Sequence, residues 1–468
     1  MRDLEMTIAG RSVPGTAFFD VENPATGKTY ARAPECSLVQ LDEAMRSAKQ
    51  AFGSWQEDEK ARRSGLLAAA DAIDDAFEEL ALLITHEQGK PLAEARSELT
   101  DAMSDLRYFA QLELPREILR DDEHTFVEVI RKPVGPVAAI TPWNFPLGTA
   151  VAKLAPALAA GCTVVLKPSP FTPLACLRFG ELTREVFPPG VLNVISGGNE
   201  LGAAMSEHPI PRQVSFTGSV ATGKKIALAA APDLKRVTLE LGGNDPAILL
   251  DDVDVDAMAG SIFANAFVNC GQVCVAIKRV YVPERLYGNV VAALVARANA
   301  AKVGDGSVEG TDLGPLTSTM QLDRVSELVD DAVAHGAKVA TGGHRIDGPG
   351  HFYQPTVLTD LSDGSRIVDE EQFGPALPVL SYRDLDDVIE RANRTHFGLG
   401  ASVWTRDPAR GASVARRLDS GTAWVNTHQT GVPGQPFGGV KWSGIGVEGG
   451  PWGLISFTDI QALHTSKG

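Results

Sequence analysis

Two cysteines stand four residues apart in Phe267-Val268-Asn269-Cys270-Gly271-Gln272-Val273-Cys274-Val275-Ala276. A cysteine is a nucleophile as its thiolate, which needs a stabilising environment and some access to solvent. Buried, it is a small apolar side chain. Gly271 and Gln272 break the helical pattern before them, so Cys274 falls at a bend where both readings stand. No histidine spacing completes a metal site beside Cys-x-x-x-Cys, so no metal is expected. Upstream, Leu239-Glu240-Leu241-Gly242-Gly243-Asn244 ends an apolar strand on a carboxylate. Desolvation there raises a carboxyl toward the working range of a general base; a salt-bridged strand end has the same pattern. In Thr141-Pro142-Trp143-Asn144-Phe145-Pro146 two prolines stiffen a loop around an amide. That amide either donates to an oxyanion or closes a turn. Gly218-Ser219-Val220-Ala221-Thr222-Gly223-Lys224-Lys225 approaches a P-loop, but Lys225 stands where a hydroxyl would hold the metal ion. The junction can still set a helix N-terminus against a diphosphate, or it is a tight turn. No Gly-x-Gly-x-x-Gly fingerprint lies between a strand and a helix.

Those loops need a scaffold. From 137 onward, short apolar runs at 137–140, 163–166, 191–195, 214–216 and 237–241 alternate with Ala- and Leu-rich helical stretches at 149–160, 173–186, 201–206 and 221–231. Continuous apolar strands between helices predict a parallel sheet buried on both faces. Ligands of such sheets bind beyond the carboxyl ends of the strands. A second series, with strands at 247–250, 279–282, 376–381, 401–404 and 422–425 and helices at 257–268 and 286–298, predicts a second α/β domain from about 243. Before the first sheet, helices are expected over 41–52, 61–86 and 92–112. The alternating stretch 125–130, flanked by Pro133 and Pro136, reads as an edge ribbon. The tail, 455–463, fits a strand or a helix.

Composition sets the outer bounds. At 468 residues the chain has room for two or three domains. A net charge of −16 argues against nucleic acid or an anionic membrane as partner. Five cysteines, an odd and small number, suit a reducing compartment. The first residues lack an apolar signal-peptide core, and the clean apolar run at 290–296 is too short to span a bilayer. The expectation is a soluble cytoplasmic protein.

Taken together, the motifs resemble the NAD(P)-dependent aldehyde dehydrogenase superfamily. Seven occur in the family's order: TPWNFP at 141–146, LKPS at 166–169, FTGS at 216–219, LELGG at 239–243, GQVC at 271–274, EQFGP at 371–375 and PFGGVKWSG at 436–444. The resemblance runs from about Asn23 to Pro451. It implies Cys274 as nucleophile, forming a thiohemiacetal and then a thioester, and Glu240 as the base that activates water. Asn144 and the backbone N–H of Cys274 would form the oxyanion hole, and Lys153 would lie near the proton route.

For the cofactor, the resemblance implies Lys167 and Ser169 near the adenosine ribose, Ser219 at the diphosphate and Glu371 at the nicotinamide ribose. Trp143, Gly198, Leu241 and Phe373 would complete the cleft. Pro170 stands where many NAD-preferring relatives carry Glu, so NAD is expected with NADP open. The implied α/β fold has a Rossmann-type cofactor domain (1–114 and 137–242), a catalytic domain (243–445) and an oligomerisation ribbon with tail (115–136 and 446–468). The ribbon would pair subunits into a homodimer or homotetramer. Cys270 lies outside the general motif and reads as an inert neighbour or as a disulfide partner for Cys274.

Substrate-pocket positions by resemblance are Phe145, Gly148, Thr149, Ala152, Val273, Val275, His428, Gly431 and Phe437. Succinate-semialdehyde dehydrogenases place an arginine where this chain has Ala152, and the loop 428–431 has no Arg, Lys or aromatic wall. An unpaired buried carboxylate is costly, so neutral aliphatic or aromatic aldehydes are expected. The alternatives are a succinate-semialdehyde dehydrogenase, a thiol esterase or acyltransferase, and a catalytically silent homologue.

Overall fold

The computed structural model describes residues 4–468. Its first sheet has eight strands in the order Gly444–Ile445, Arg236–Glu240, Gln213–Thr217, Pro136–Ile140, Thr163–Lys167, Leu192–Val194, Met6–Ile8, Arg11–Val13. The five central strands are parallel. Pro136–Ile140 and Thr163–Lys167 are buried at every position, as a sheet covered by helices on both faces requires. Strand order reverses between Pro136–Ile140 and Gln213–Thr217, and this is where such a sheet opens a crevice. The loops bearing Asn144 and Ser219 follow those two strands.

The second sheet runs Lys338–Thr341, Thr356–Thr359, Ala376–Tyr382, Ile277–Pro283, Asp245–Leu249, Gly400–Trp404, Thr422–Val425, and only its first strand is antiparallel. Leu241–Asn244 links the end of a first-sheet strand, Glu240, to the start of a second-sheet strand, Asp245. Chemistry can therefore be built between the carboxyl edge of one sheet and the amino edge of the other. Gly444–Ile445, assigned from sequence to the second domain, pairs with Leu239 and Glu240 of the first sheet. A Cβ on Gly444 would lie 2.3 Å from the Leu239 carbonyl oxygen, so the close approach needs glycine.

Several elements differ from expectation. The helix expected over 61–86 is two, Glu59–Asp75 and Phe77–Gln88, parted at Ala76, whose φ of −110° and ψ of 20° leave the helical region. Neither Gly nor Pro marks the break, so the sequence pattern runs through it. Strands at Met6–Ile8, Arg11–Val13, Ala17–Asn23 and Lys28–Glu35 precede the first helix, in a region to which the sequence reading assigned no strand. The tail is both helix, Gly450–Ser456, and strand, Thr458–Ser466. That strand pairs antiparallel with Thr125–Pro133, which also pairs with Glu117–Asp121, giving a three-stranded ribbon. Among the described residues no helix is long and apolar enough to cross a membrane.

Candidate active site

The approach to Cys274 is held under strain. Helix Val255–Phe267 ends, and Asn269 (φ 50°, ψ 36°), Cys270 (φ 55°, ψ 34°) and Gly271 (φ 73°) follow in left-handed conformation. Each non-glycine residue there costs about 1–2 kcal/mol, and persists only where surroundings over-determine it. Asn269 supplies the anchors: its backbone N–H donates to the Glu94 carboxylate at 3.0 Å, its Nδ2 to the Asn144 carbonyl at 3.0 Å, and its Oδ1 accepts from Gln88 at 2.9 Å. Gln272 accepts from the Thr317 N–H at 2.9 Å, and buried Lys278 donates to the carbonyls of Val273 at 2.6 Å and Gly271 at 3.1 Å. None of Gln88, Glu94, Thr317 and Lys278 carries a sequence signature, and all four were missed.

The turn separates the two cysteines. Cys270 is buried, and burial, with Glu94 adding to it, pushes its thiol far up. Cys274 is half-buried. Its thiol is pushed up to about 12, first by burial and then by the carboxylates of Glu371, Glu240 and Asp245, with Lys278 opposing. A thiol held up in this way must lose its proton as it attacks.

Asn144 is buried, and its Nδ2 donates to the Gln272 carbonyl at 2.9 Å. An amide nitrogen has two hydrogens, so that bond fixes the group and leaves a second donor. Glu240 is buried with neither carboxylate oxygen hydrogen-bonded. Burial raises it well above the usual carboxylate range; Glu448 adds to the rise and Lys153 opposes it. Lys153 and Glu448 form a buried ion pair at 2.5 Å. Glu448 was missed because the tail had been assigned to the ribbon. A two-way backbone pairing with Phe437, at 2.7 Å each way, brings it in.

Phe145, Val268, Val273, Val275, Leu399, Trp424 and Phe437 pack into one apolar cluster with Cys274. Trp424, which the sequence reading did not name, joins Phe437 in an aromatic wall beside the loop 428–431. Two pocket assignments are corrected. A Cβ on Gly148 would meet Glu98 Cγ at 3.1 Å, because Glu98 accepts from the N–H groups of Leu147 and Gly148 at this helix N-terminus. A side chain there would push at Glu98, not into the pocket. The His428 imidazole is fully buried, with Nε2 2.7 Å from the Val275 carbonyl and 3.6 Å from Asp245 Oδ2, so it faces the main chain behind Cys274. Thr149 donates its hydroxyl to the Phe145 carbonyl at 2.7 Å, Ala152 lies partly exposed one turn on, and Gly431 is exposed with open space at its Cα. Lys90 lies 3.7 Å from the Phe145 ring centre, but its ammonium is paired at 2.5 Å with Glu98 and both are buried.

A second cleft borders the first sheet. Ser219 caps helix Val220–Ala230, accepting from the Thr222 N–H at 3.3 Å, and no acid sits in the helix's first turn. Gly198 caps helix Asn199–Glu207, and a Cβ there would meet nothing within 4 Å. Lys167 is buried, donates to its neighbour Pro168's carbonyl at 3.1 Å, and is pushed down to about 8 by burial. Glu371 accepts from the Gly243 N–H at 2.9 Å, and burial raises its carboxyl to about 7. A Cβ on Gly242 would lie 2.2 Å from Glu371 Oε2. Phe373, left-handed at φ 51°, sets its ring edge-on to Trp143 with centroids 5.2 Å apart. Leu241 is buried below, Ser169 is buried and Pro170 half-buried beside Lys167. The acid-free N-terminus of helix Val220–Ala230 and a buried ammonium without a carboxylate suit an anionic, hydroxyl-bearing ligand such as a dinucleotide.

The family model for the aldehyde dehydrogenase family matches residues 12–463. The chain is 38% identical to 3-sulfolactaldehyde dehydrogenase of Pseudomonas putida, over 95% of this chain and 92% of that one. It is 41% identical to a mitochondrial succinate-semialdehyde dehydrogenase of Arabidopsis thaliana, over 94% of this chain and 85% of that one. The solved NAD+ complex of an aldehyde dehydrogenase from Bacillus cereus superposes with a TM-score of 0.96 at 38% identity, covering 99% of this chain and 97% of that one.

Proposed function

The chain belongs to the aldehyde dehydrogenase family, and from that premise we propose that it oxidises neutral aliphatic or aromatic aldehydes to carboxylic acids through a thioester on Cys274. The observation carrying the chemistry is a half-buried thiol beside an anchored amide, Asn144, and a buried carboxylate, Glu240, with both oxygens free. Cys274 Sγ gives up its proton to water at the open side of the half-buried thiol and attacks the aldehyde carbon. The resulting oxyanion takes the second N–H of Asn144 and the N–H of Cys274. A bound nicotinamide dinucleotide supplies the hydride acceptor. Glu240 then takes a proton from the water that attacks the thioester, and Cys274 leaves as the thiolate. The Lys153–Glu448 pair beside Glu240 gives that proton an onward route.

Lys167, Ser169 and Pro170 would hold the adenosine ribose, Gly198 and Ser219 the diphosphate, and Trp143, Leu241, Glu371 and Phe373 the nicotinamide half. NAD is the favoured cofactor, with NADP also accepted, because Pro170 neither rewards a 2′-hydroxyl nor repels a 2′-phosphate. The apolar wall and the neutralised Lys90 favour a substrate without a distal charge. The names of the relatives favour the second reading, a semialdehyde bearing an acid. An aldehyde panel assayed with NAD and NADP in parallel separates them: a benzylic or medium-chain aldehyde should exceed succinate semialdehyde in kcat/KM. A preference for succinate semialdehyde would overturn the neutral-substrate reading. We further assign the ribbon as the surface that pairs with a second copy of the chain, and the five unpaired cysteines suit a reducing cytoplasm.

A further inference from the structure

Behind the nucleophile lies a buried pair with no part in the chemistry above. Asp245 starts a second-sheet strand and its side chain is fully buried, yet neither oxygen has a hydrogen-bond donor. The backbone has been cleared to admit it: a Cβ on Gly400 would lie 2.2 Å from Asp245 Oδ2, and one on Gly243 would lie 2.9 Å from Oδ1 and 2.3 Å from the Cys274 carbonyl oxygen. Its facing group is His428, whose Nε2 lies between Asp245 Oδ2 at 3.6 Å and the Val275 carbonyl at 2.7 Å. The other ring nitrogen has no partner, and the Trp424 ring covers the imidazole at 4.7 Å. The Nε2–H tautomer is therefore the one that satisfies the Val275 carbonyl.

We propose that Asp245 and His428 form a positioning pair for Cys274: the imidazole pins the carbonyl of the next residue, and the carboxylate lies against its far side and sets the field behind the thiol. The inference rests on Cys274 being the nucleophile. Its surroundings agree. Charged or titratable groups facing the pair are Cys274 and Lys278 from the nucleophile segment, Glu371 from the EQFGP loop, and Arg279. Arg279 also lines a small cavity with Asp245, and its guanidinium is engaged by the carbonyls of Asn244 at 3.0 Å and Ala392 at 3.2 Å and by Tyr281 Oη at 3.1 Å. The Asp245 charge raises Cys274 and supports the charged form of Lys278, whose ammonium cradles the carbonyls on either side of Gln272. One carboxylate thus restrains the thiol and steadies the cation that shapes its turn.

The test is the pH profile of iodoacetamide labelling at Cys274, followed by peptide mass mapping, together with kcat and KM for one good aldehyde. Asp245→Asn keeps the shape and removes the charge, so the labelling midpoint should fall by about 1 pH unit, the scale of a close charge. His428→Gln keeps a donor for the Val275 carbonyl and should stay within about threefold of the parent in kcat/KM, whereas His428→Leu should lose about tenfold. An Asp245→Asn profile that superimposes on the parent's, or equal losses for the two His428 variants, would overturn the pair. If Asp245→Asn does not fold, the two His428 variants decide. If instead Cys274→Ala keeps turning over, the assignment of the nucleophile itself fails, a separate result.

Discussion

The two sides of the cleft hold opposite charge imbalances. On the first-sheet side, Lys167 is a buried cation without a carboxylate, and two helices present N-termini with open or hydroxyl caps. On the side of the cysteine, buried carboxylates outnumber cations: Glu240 and Asp245 have no hydrogen-bonded partner, and Glu371 has one backbone donor. The first imbalance is relieved when an anionic ligand arrives, so it stores binding energy. The second is relieved by a proton at Glu240 or Glu371, whose carboxyls burial raises, so it stores basicity there. Neither side would be chosen for stability alone, since unpaired buried charge is costly.

The comparison breaks most sharply at the cysteines. Cys274→Ala should cut turnover by about 10⁴-fold or more while leaving dinucleotide binding, read by calorimetry, near the parent's, because the cofactor groups sit on the other side. Cys270→Ala should retain most activity. The reverse pattern would place the nucleophile wrongly.

Next in size is the proton route. Glu448→Gln removes the partner of Lys153 and should lower kcat by about tenfold, below the 10²–10⁴ of a direct proton acceptor. An unchanged kcat would detach the Lys153–Glu448 pair from the route.

The pH dependence follows from the raised carboxyl of Glu240. Hydrolysis needs its ionised form, so kcat should rise as pH increases through the raised value, and Glu240→Gln should remove that limb. Stability carries the opposite sign. A carboxyl raised in the folded state keeps a proton that the unfolded chain releases, so the cost of burying it is absent at acid pH and grows as pH climbs above the ordinary carboxylate range. Melting curves should therefore show Glu240→Gln gaining Tm over the parent at alkaline pH and not at acid pH. A gain of equal size at both would refute the titration.

The smallest effect belongs to the cofactor side. Pro170→Glu introduces a charge next to the ribose site and should raise the NAD-to-NADP ratio of kcat/KM by about tenfold, or about 1.4 kcal/mol. A ratio that stays put would remove Pro170 from that site.

What was readable in the sequence follows the same division. Asn144, Glu240, Lys167 and Ser219 lie in compact motifs at the carboxyl ends of first-sheet strands, and Cys274 and Glu371 in compact motifs just before second-sheet strands, so each could be named from a short stretch of sequence. The parallel strands were readable for the same reason: both faces are buried, and their apolar runs are continuous. Glu448, Trp424 and Asp245 were not readable, and His428 was read as a pocket residue instead of as the neighbour of Asp245, because long-range pairing brings each to the site. Glu448 arrives through Phe437, and His428 through the Val275 carbonyl. The opening strands from 11 to 35 were lost because they carry mixed exposure instead of an apolar run, and Met6–Ile8, though buried, is only three residues long.

The most direct measurement mixes Glu240→Gln enzyme with dinucleotide and aldehyde, then follows reduced cofactor by absorbance and maps peptide masses after quenching. One equivalent of reduced cofactor per subunit should form rapidly, steady turnover should fall by about 10²-fold or more, and the acyl mass should sit on the peptide carrying Cys274 and be absent from Cys270. Steady turnover at the parent's rate, or an acyl group on a different residue, would contradict thioester formation at Cys274 and its hydrolysis by Glu240.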